Sequence, residues 1–182
     1  MIVLYYTSDL HLGHKNIIDY EHRPFKDVDD MTEGLIKRWN DKVKSDTDIT
    51  FILGDFAFKN SYMNKAKILE CFRRLRGVKI MIPGNHDNYL TKDFIEEISI
   101  DDNNTYVIQR DIHEIYDEQR IVVLCHYPIE EWDGKYHGTY HVHGHIHSRD
   151  IIQHIPKRFN CGVDVRNFEP VTLDEMIDAA SK

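Results

Sequence analysis

The stretch Val78-Lys79-Ile80-Met81-Ile82-Pro83-Gly84-Asn85-His86-Asp87 decides the fold. Its first five residues form an apolar, β-branched run that is typical of a buried strand. Pro83-Gly84 ends that strand, and a cluster of an amide, an imidazole and a carboxylate follows directly. Functional loops lie at the carboxyl ends of parallel strands, so this arrangement predicts a site at one edge of a sheet.

The same arrangement occurs twice more in the first half of the chain. Ile2–Ser8 is a predicted strand that leads into Asp9-Leu10-His11, and Asp48–Leu53 is a predicted strand that leads into Gly54-Asp55. Helical periodicity separates these strands, most clearly in the stripe Val28, Met31, Leu35, Trp39 and Val43, and again over Ser61 to Leu75. The first half therefore reads βαβαβ.

The second half is rich in predicted strands. His126 follows the predicted strand Arg120–Cys125, and Gly144-His145-Ile146-His147 follows Thr139–His143. The other signals are strands at Thr105–Gln109, Ile112–Tyr116 and Arg158–Val165, a turn at Asp117-Glu118-Gln119, and a capping box of Thr172 and Glu175 before a last helix. The whole pattern predicts an α/β fold, a four-layer αββα sandwich of two mixed β-sheets flanked by helices. The 182 residues are expected to form one domain over 1–182.

The charge and composition of the chain restrict the kinds of partner that it could bind. The net charge of −8 disfavours nucleic-acid binding, which needs a basic surface, although a nucleotide substrate is compatible with it. No apolar run approaches the ~18 residues of a membrane helix, so no membrane partner is expected. The three cysteines are too few and too irregularly spaced to suggest disulfide pairs, which favours reduced thiols and a cytoplasmic protein.

The order and types of the five polar clusters resemble the calcineurin-like metallophosphoesterase superfamily, as in a small member without a lid. The resemblance implies two divalent metal ions, the first held by Asp9, His11 and His147, the second by Asn85, His126 and His145, and both bridged by Asp55. A mixed carboxylate, imidazole and amide set suits borderline ions rather than calcium or magnesium. We expect manganese, with iron, zinc, cobalt or nickel as alternatives.

The resemblance also implies a mechanism. A metal-bridging hydroxide would attack phosphorus in line, so the reaction would invert at phosphorus without a phospho-enzyme. His86 is not a ligand in that family, and we expect it to donate a proton to the leaving oxygen. Asp87 either orients the His86 ring or caps a turn.

These features favour an enzyme that hydrolyses a small phosphodiester of nucleotide-like kind. The segments between Asp55 and Gly84 and between His126 and Gly144 are too short for a lid domain, so the site should be open. A phosphomonoesterase acting on a nucleotide, sugar phosphate or phosphoprotein is the alternative. Leu12 stands where protein phosphatases usually have glycine, which disfavours a protein phosphatase. A non-catalytic scaffold of the same fold is disfavoured because the ligand set is complete.

Several residues outside the clusters have open roles. Arg23 is either a phosphate clamp or part of a surface ion pair, and Trp132 either stacks on a base or packs against the sheet. His14 either contacts the substrate or braces His11, and His143 lies outside the ligand set.

Overall fold

The structure is a computed structural model that describes residues 2–102, 104–149 and 154–181. Its first sheet has the order β1-β2-β3-β4, and its second has the order β5-β6-β7-β8. The strands are β1 Leu4–Thr7, β2 Ile49–Leu53, β3 Val78–Ile82, β4 Thr105–Val107, β5 Ile112–Asp117, β6 Arg120–Cys125, β7 Tyr140–His143 and β8 Arg158–Asn160.

Five helices accompany the sheets. They are α1 Lys15–Tyr20, α2 Val28–Lys42, α3 Lys65–Arg74, α4 Lys92–Asp101 and α5 Leu173–Ala180. The predicted apolar stripe of α2 is buried along its length, and the Trp39 indole donates to the Arg76 carbonyl at 2.9 Å. The capping box of Thr172 and Glu175 before α5 is confirmed.

Alternating strand residues divide the core in two. Tyr5, Ile52 and Met81 pack against α2, α3 and α4 on the outer face of the first sheet. Their neighbours form a second core that joins the inner faces of both sheets and includes Tyr6, Leu53, Ile82, Val122, Leu124 and Val142. The predicted sandwich of two sheets flanked by helices is confirmed.

Strand directions refine the prediction of two mixed sheets. The second sheet is mixed, because β5 pairs antiparallel with β6 whereas β6–β7 and β7–β8 are parallel. The three strand pairs of the first sheet are all parallel. In the part of the chain that the structure describes, its antiparallel element is one isolated bridge, between Tyr6 and Val171.

Local structure differs from the prediction at several places. Helix α3 begins at Lys65 rather than Ser61, because the Asn64 side chain accepts the Lys67 N–H at its start. Strand β8 ends at Asn160, and a 3₁₀ turn takes up Val163–Val165. Helix α1 was not predicted, because a six-residue helix is too short to show a periodic apolar face.

None of the helices in the described ranges combines the length and the apolarity that a bilayer crossing requires.

Candidate metal centre

The polar clusters meet at one end of the sandwich. Strands β1, β2 and β3 run parallel, so the loops that follow them leave the same sheet edge. The Asp9 N–H donates to the Gly54 carbonyl at 3.1 Å, and the His11 N–H donates to the Asp55 carbonyl at 2.9 Å. From the second sheet, the His145 N–H donates to the Asp9 carboxylate at 2.9 Å. Hydrogen bonds therefore join the loops of both sheets at this edge.

Two glycines let these loops approach one another. Gly54 has φ +83°, and a Cβ at this position would lie 2.6 Å from both the Gly84 backbone and the His126 ring. A Cβ on Gly144 would collide with the Ser8 hydroxyl. Any larger residue at these two positions would push the polar clusters apart.

Backbone strain is concentrated at the predicted metal ligands. Asp9, His11, Asp55, His145 and His147 all have left-handed φ values, between 50° and 72°. This region costs about 1–3 kcal/mol for each residue that has a Cβ, and it persists where surrounding contacts hold it. Strained backbone of this kind clusters at functional sites.

His11 is buried, and neither of its ring nitrogens has a hydrogen-bond partner among the described residues. Its Nε2 lies 3.5 Å from Oδ2 of Asp55 and 4.0 Å from Oδ1 of Asp9. Burial lowers the pKa of His11 to about 2, so the ring is neutral and its lone pair is free. An unsatisfied buried polar group costs about 1–3 kcal/mol. A cation between the ring and the carboxylates would remove that cost.

A second group of unpaired acceptors surrounds His126. Its Nδ1 lies 2.8 Å from the Leu53 carbonyl, which assigns the ring proton to Nδ1 and leaves Nε2 as an acceptor. That Nε2 lies 2.8 Å from Oδ1 of Asn85 and 3.2 Å from Nδ1 of His145, and the latter two atoms are 2.9 Å apart. One proton on His145 can satisfy only one of these contacts. A cation would satisfy all three atoms.

Asp55 lies between the two groups. Its Oδ2 is 3.5 Å from Nε2 of His11 and 3.6 Å from Nε2 of His126. Ligand atoms of Asp9, His11 and His147 lie within 4.8 Å of one another, and so do those of Asp9, Asp55 and His126. The structure thus brings all seven predicted ligands together, and the donor set fits divalent cations.

A buried ion pair supports this cluster from behind. Asp164 accepts a hydrogen bond from Nδ1 of His147 at 2.8 Å and from both Nε and a terminal nitrogen of Arg23, at 2.8 and 2.9 Å. Arg23 also donates to the carbonyls of Asp9 and Leu10, each at 2.8 Å. Its guanidinium is therefore neither a phosphate clamp nor part of a surface pair, and both interpretations of Arg23 were wrong.

The pKa values of this pair follow from its contacts. Burial raises the pKa of Asp164, but the bonds from His147 and the charge of Arg23 outweigh burial and lower it. Burial lowers the pKa of His147, but the bond to Asp164 and the charge of Asp9 outweigh burial and raise it. The bond to Asp164 also fixes the His147 tautomer, so that Nε2 is free to face Asp9 and His11.

His86 and Asp87 have different surroundings. The His86 ring is half-buried, with its centroid 5.3 Å from that of His11, and its backbone N–H donates to Asp55 at 2.8 Å. Asp87 is buried, and its carboxylate accepts from the N–H groups of Asp55, Phe56 and Gly84 and from the Tyr89 hydroxyl, at 2.6 to 3.1 Å. Its acceptor positions are thus used by the loops after β2 and β3 rather than by the His86 ring.

The residues with open roles are placed as follows. The Trp132 indole packs on His141 and donates to the Thr139 carbonyl at 3.2 Å, so it covers the outer face of the second sheet rather than stacking on a base. His14 accepts the Ile17 N–H and begins α1. His143 is buried beside the ligand loop, with Nδ1 2.9 Å from the Gly144 carbonyl.

Sequence reasoning missed Ser8 and Asp164. The Ser8 hydroxyl donates to the Asp9 carboxylate at 2.6 Å. The position of Ser8 directly before Asp9 in the sequence could have indicated this contact. Burial raises the pKa of Asp9, and the nearby His147 and the Ser8 hydroxyl act against that rise. Asp164 gave no local signal, because its partner Arg23 lies 141 residues away in the chain.

Solved structures share the fold. A protein of unknown function from Aquifex aeolicus superposes with a TM-score of 0.74 at 23% identity, over 98% of this chain and 100% of that one. An archaeal phosphodiesterase superposes with a TM-score of 0.50 at 15% identity, over 87% of this chain and 81% of that one. The chain therefore shares the fold of these two proteins.

Sequence comparison adds a relative. No model of a known protein family matches the chain. The uncharacterised protein MJ1445 of Methanocaldococcus jannaschii is 33% identical over 184 aligned residues, which cover 98% of this chain and 92% of that protein. The chain therefore belongs to the same family as MJ1445.

Proposed function

We propose that this protein is a divalent-metal-dependent phosphoesterase of the calcineurin-like kind, and that it hydrolyses a small, nucleotide-like phosphodiester. One observation carries the proposal: seven potential ligands surround a common centre, where the buried His11 ring has no hydrogen-bond partner among the described residues and lies 3.5 Å from the Asp55 carboxylate. The metallophosphoesterase-type fold supports it. A scaffold would have no reason to keep an unsatisfied His11 and five strained ligand positions.

The metal ligands follow from the two groups of contacts. Asp9, His11 and His147 would hold one ion, and Asn85, His126 and His145 would hold the other. The position of Asp55 Oδ2 between His11 and His126 supports its role as the bridge. We propose manganese for both ions. When bound, the two ions would lower the pKa of a water molecule and offset negative charge on the phosphoryl oxygens.

The chain's own residues keep that centre in place. Asp164 and Arg23 fix the His147 ring and the Asp9 loop. Asp87, proposed first as a partner of His86, is better supported as a positioning residue, because it binds the backbone on both sides of the bridging ligand. His86 remains the proposed proton donor to the leaving oxygen, since its half-buried ring lies beside His11.

Charge favours a diester over a monoester. A monoester carries one more negative charge than a diester, and enzymes hold such oxygens with forked guanidinium contacts. Arg23, the guanidinium closest in sequence to the first ligand cluster, is already bound to Asp164 and to backbone carbonyls. The phosphomonoesterase therefore stays the second candidate.

A pair of chromogenic esters tests the proposal. After chelation and reloading with Mn²⁺, the protein should hydrolyse bis-p-nitrophenyl phosphate with a kcat/KM about tenfold above that for p-nitrophenyl phosphate. The chelated protein should be inactive, and calcium should not restore activity, because the ligand set suits borderline ions. A higher rate on the monoester would favour the second candidate. Absence of hydrolysis with manganese, iron, zinc, cobalt and nickel would favour the scaffold.

His86→Ala tests the proton donor. We expect kcat to fall about 10²- to 10⁴-fold, the usual contribution of general acid catalysis, with the larger loss on esters with poor leaving groups. Manganese binding, measured by calorimetry, should be unchanged, because the His86 ring is not a proposed ligand. Equal losses for good and poor leaving groups would refute proton donation by His86.

A further inference from the structure

A cavity of about 610 Å³ lies beside the metal ligands. It is lined by α1, by the beginning of α2 and by the loop of residues 58–62. This volume is within the range of about 300–1,000 Å³ that small-molecule sites have. A phosphate group alone would leave most of it empty.

His14 and Phe58 stand at the border where the cavity meets the candidate metal centre. Both line the cavity, and their ring centroids are 4.3 Å apart. On the other side, the His14 ring centroid lies 5.7 Å from that of His11, and the Phe58 ring centroid lies 5.7 Å from that of His86. The cavity therefore adjoins the centre on the side of His86, the proposed proton donor to the leaving group.

The cavity offers rings and aliphatic side chains. Phe58 and Tyr62 line it together with Ile18 and Val28. The Asp29 carboxylate, at the start of α2, raises the pKa of Tyr62. The Lys67 ammonium lies 4.0 Å from the Tyr62 ring centroid. Loop 58–62 and the start of α2 thus line the same cavity, with aromatic rings on its wall.

The charges around the cavity do not favour an anion. Two ammonium groups, Lys15 and Lys26, stand against three carboxylates, Asp19, Asp27 and Asp29. The side chains of Asn16 and Ser61 add uncharged polar groups. A second phosphate would meet a small excess of negative charge here. A flat, uncharged ring system with a polar edge matches both the rings and the amide and hydroxyl groups.

We infer that this cavity binds the nucleoside leaving group of the phosphodiester substrate. This inference rests on the proposed function for the chemistry, but the cavity itself can be tested without catalysis. The base would lie against Phe58 and Tyr62, and the ribose oxygen that leaves phosphorus would face His86.

The binding test uses metal-free protein and adenosine, which is uncharged and cannot be hydrolysed here. Amide NMR shifts should move for residues 13–29 and 58–62 on titration. Ser61→Trp, which fills the cavity, should weaken binding at least tenfold, and Asn16→Trp is a second filling variant in case the first misfolds. Ser99→Trp, on the exposed face of α4, is the matched control and should bind like the wild type. Absence of adenosine binding, or unchanged binding in both folded filling variants, would overturn the inference.

The kinetic test separates this inference from the proposed function. With Mn²⁺-loaded protein and adenylyl-adenosine, Ser61→Trp should raise KM at least tenfold and change kcat less than threefold. Hydrolysis with an unchanged KM in both filling variants would overturn the cavity assignment and leave the phosphoesterase intact. Adenosine binding without hydrolysis of any ester would support the cavity and contradict the proposed function.

Discussion

Replacing Asp55 with asparagine is expected to abolish turnover, with kcat/KM for bis-p-nitrophenyl phosphate lower by about 10³-fold or more. Asp55 Oδ2 lies between His11 and His126, so this substitution removes the charge of the proposed bridging ligand. Metal ions contribute several kcal/mol to such reactions, and each ~1.4 kcal/mol is a tenfold change in rate. Calorimetry should also show lower manganese occupancy.

The metal-free Asp55→Asn protein should nevertheless fold as well as the wild type. The negative charge of Asp55 raises the pKa of both Asp9 and Asp87, after the larger effect of burial, so its removal relieves repulsion. The amide oxygen of the new side chain can still accept the His86 N–H. We expect a melting temperature equal to or above that of the wild type without metal.

Asp178→Asn, an exposed carboxylate on α5, is the matched control for charge. It should leave both turnover and manganese binding unchanged. An Asp55→Asn protein that kept two manganese ions and a near-normal rate would remove Asp55 from the mechanism.

Replacing Arg23 with methionine should destabilise the protein by about 3–5 kcal/mol, the usual effect of breaking a buried ion pair. The substitution leaves the buried Asp164 carboxylate without its cation and the Asp9 and Leu10 carbonyls without donors. For a chain of this length, each 1 kcal/mol lowers the melting temperature by about 2–4 °C. Urea unfolding of the metal-free protein is the measurement.

Arg74→Met provides the comparison, because Arg74 also makes a forked ion pair, with Glu33, but at the surface. Exposed pairs contribute about 0–1 kcal/mol. The double variant Arg23→Met/Asp164→Asn should recover part of the loss, since it removes the unpaired charge. If Arg23→Met and Arg74→Met lowered the unfolding free energy equally, the buried pair would not hold the Asp9 loop.

The fold was predictable from the sequence where the signals are local. Strands β3 and β6 have the predicted bounds, and the stripe of α2 is buried as expected, because apolar periodicity reports directly on burial. The five clusters were recognisable for the same reason: each follows its strand within a few residues. Parallel pairing then brings them to one sheet edge.

The residues that hold the proposed metal ligands in place could not be predicted, because they act through contacts between distant parts of the chain. Arg23 and Asp164 are 141 residues apart, so the sequence around one residue does not indicate that the other is its partner. Asp87 was expected either to orient its neighbour His86 or to cap a turn; its hydrogen bonds join Gly84 in its own turn and also reach back to Asp55 and Phe56 on another loop. The two alternatives for Trp132, stacking on a base and packing against the sheet, could be separated only by the fold, which places this residue on the far face of β7.

The left-handed φ values at Asp9, His11, Asp55, His145 and His147 have an evolutionary consequence. Glycine adopts that backbone region without a steric cost. These positions, which carry the chemistry, therefore have a backbone conformation that favours glycine over a residue with a side chain. At His11, whose ring nitrogens have no hydrogen-bond partner among the described residues, a lineage released from selection for its chemistry would relieve the backbone strain by drifting to glycine. A glycine in place of His11 would therefore mark an inactive descendant of this protein.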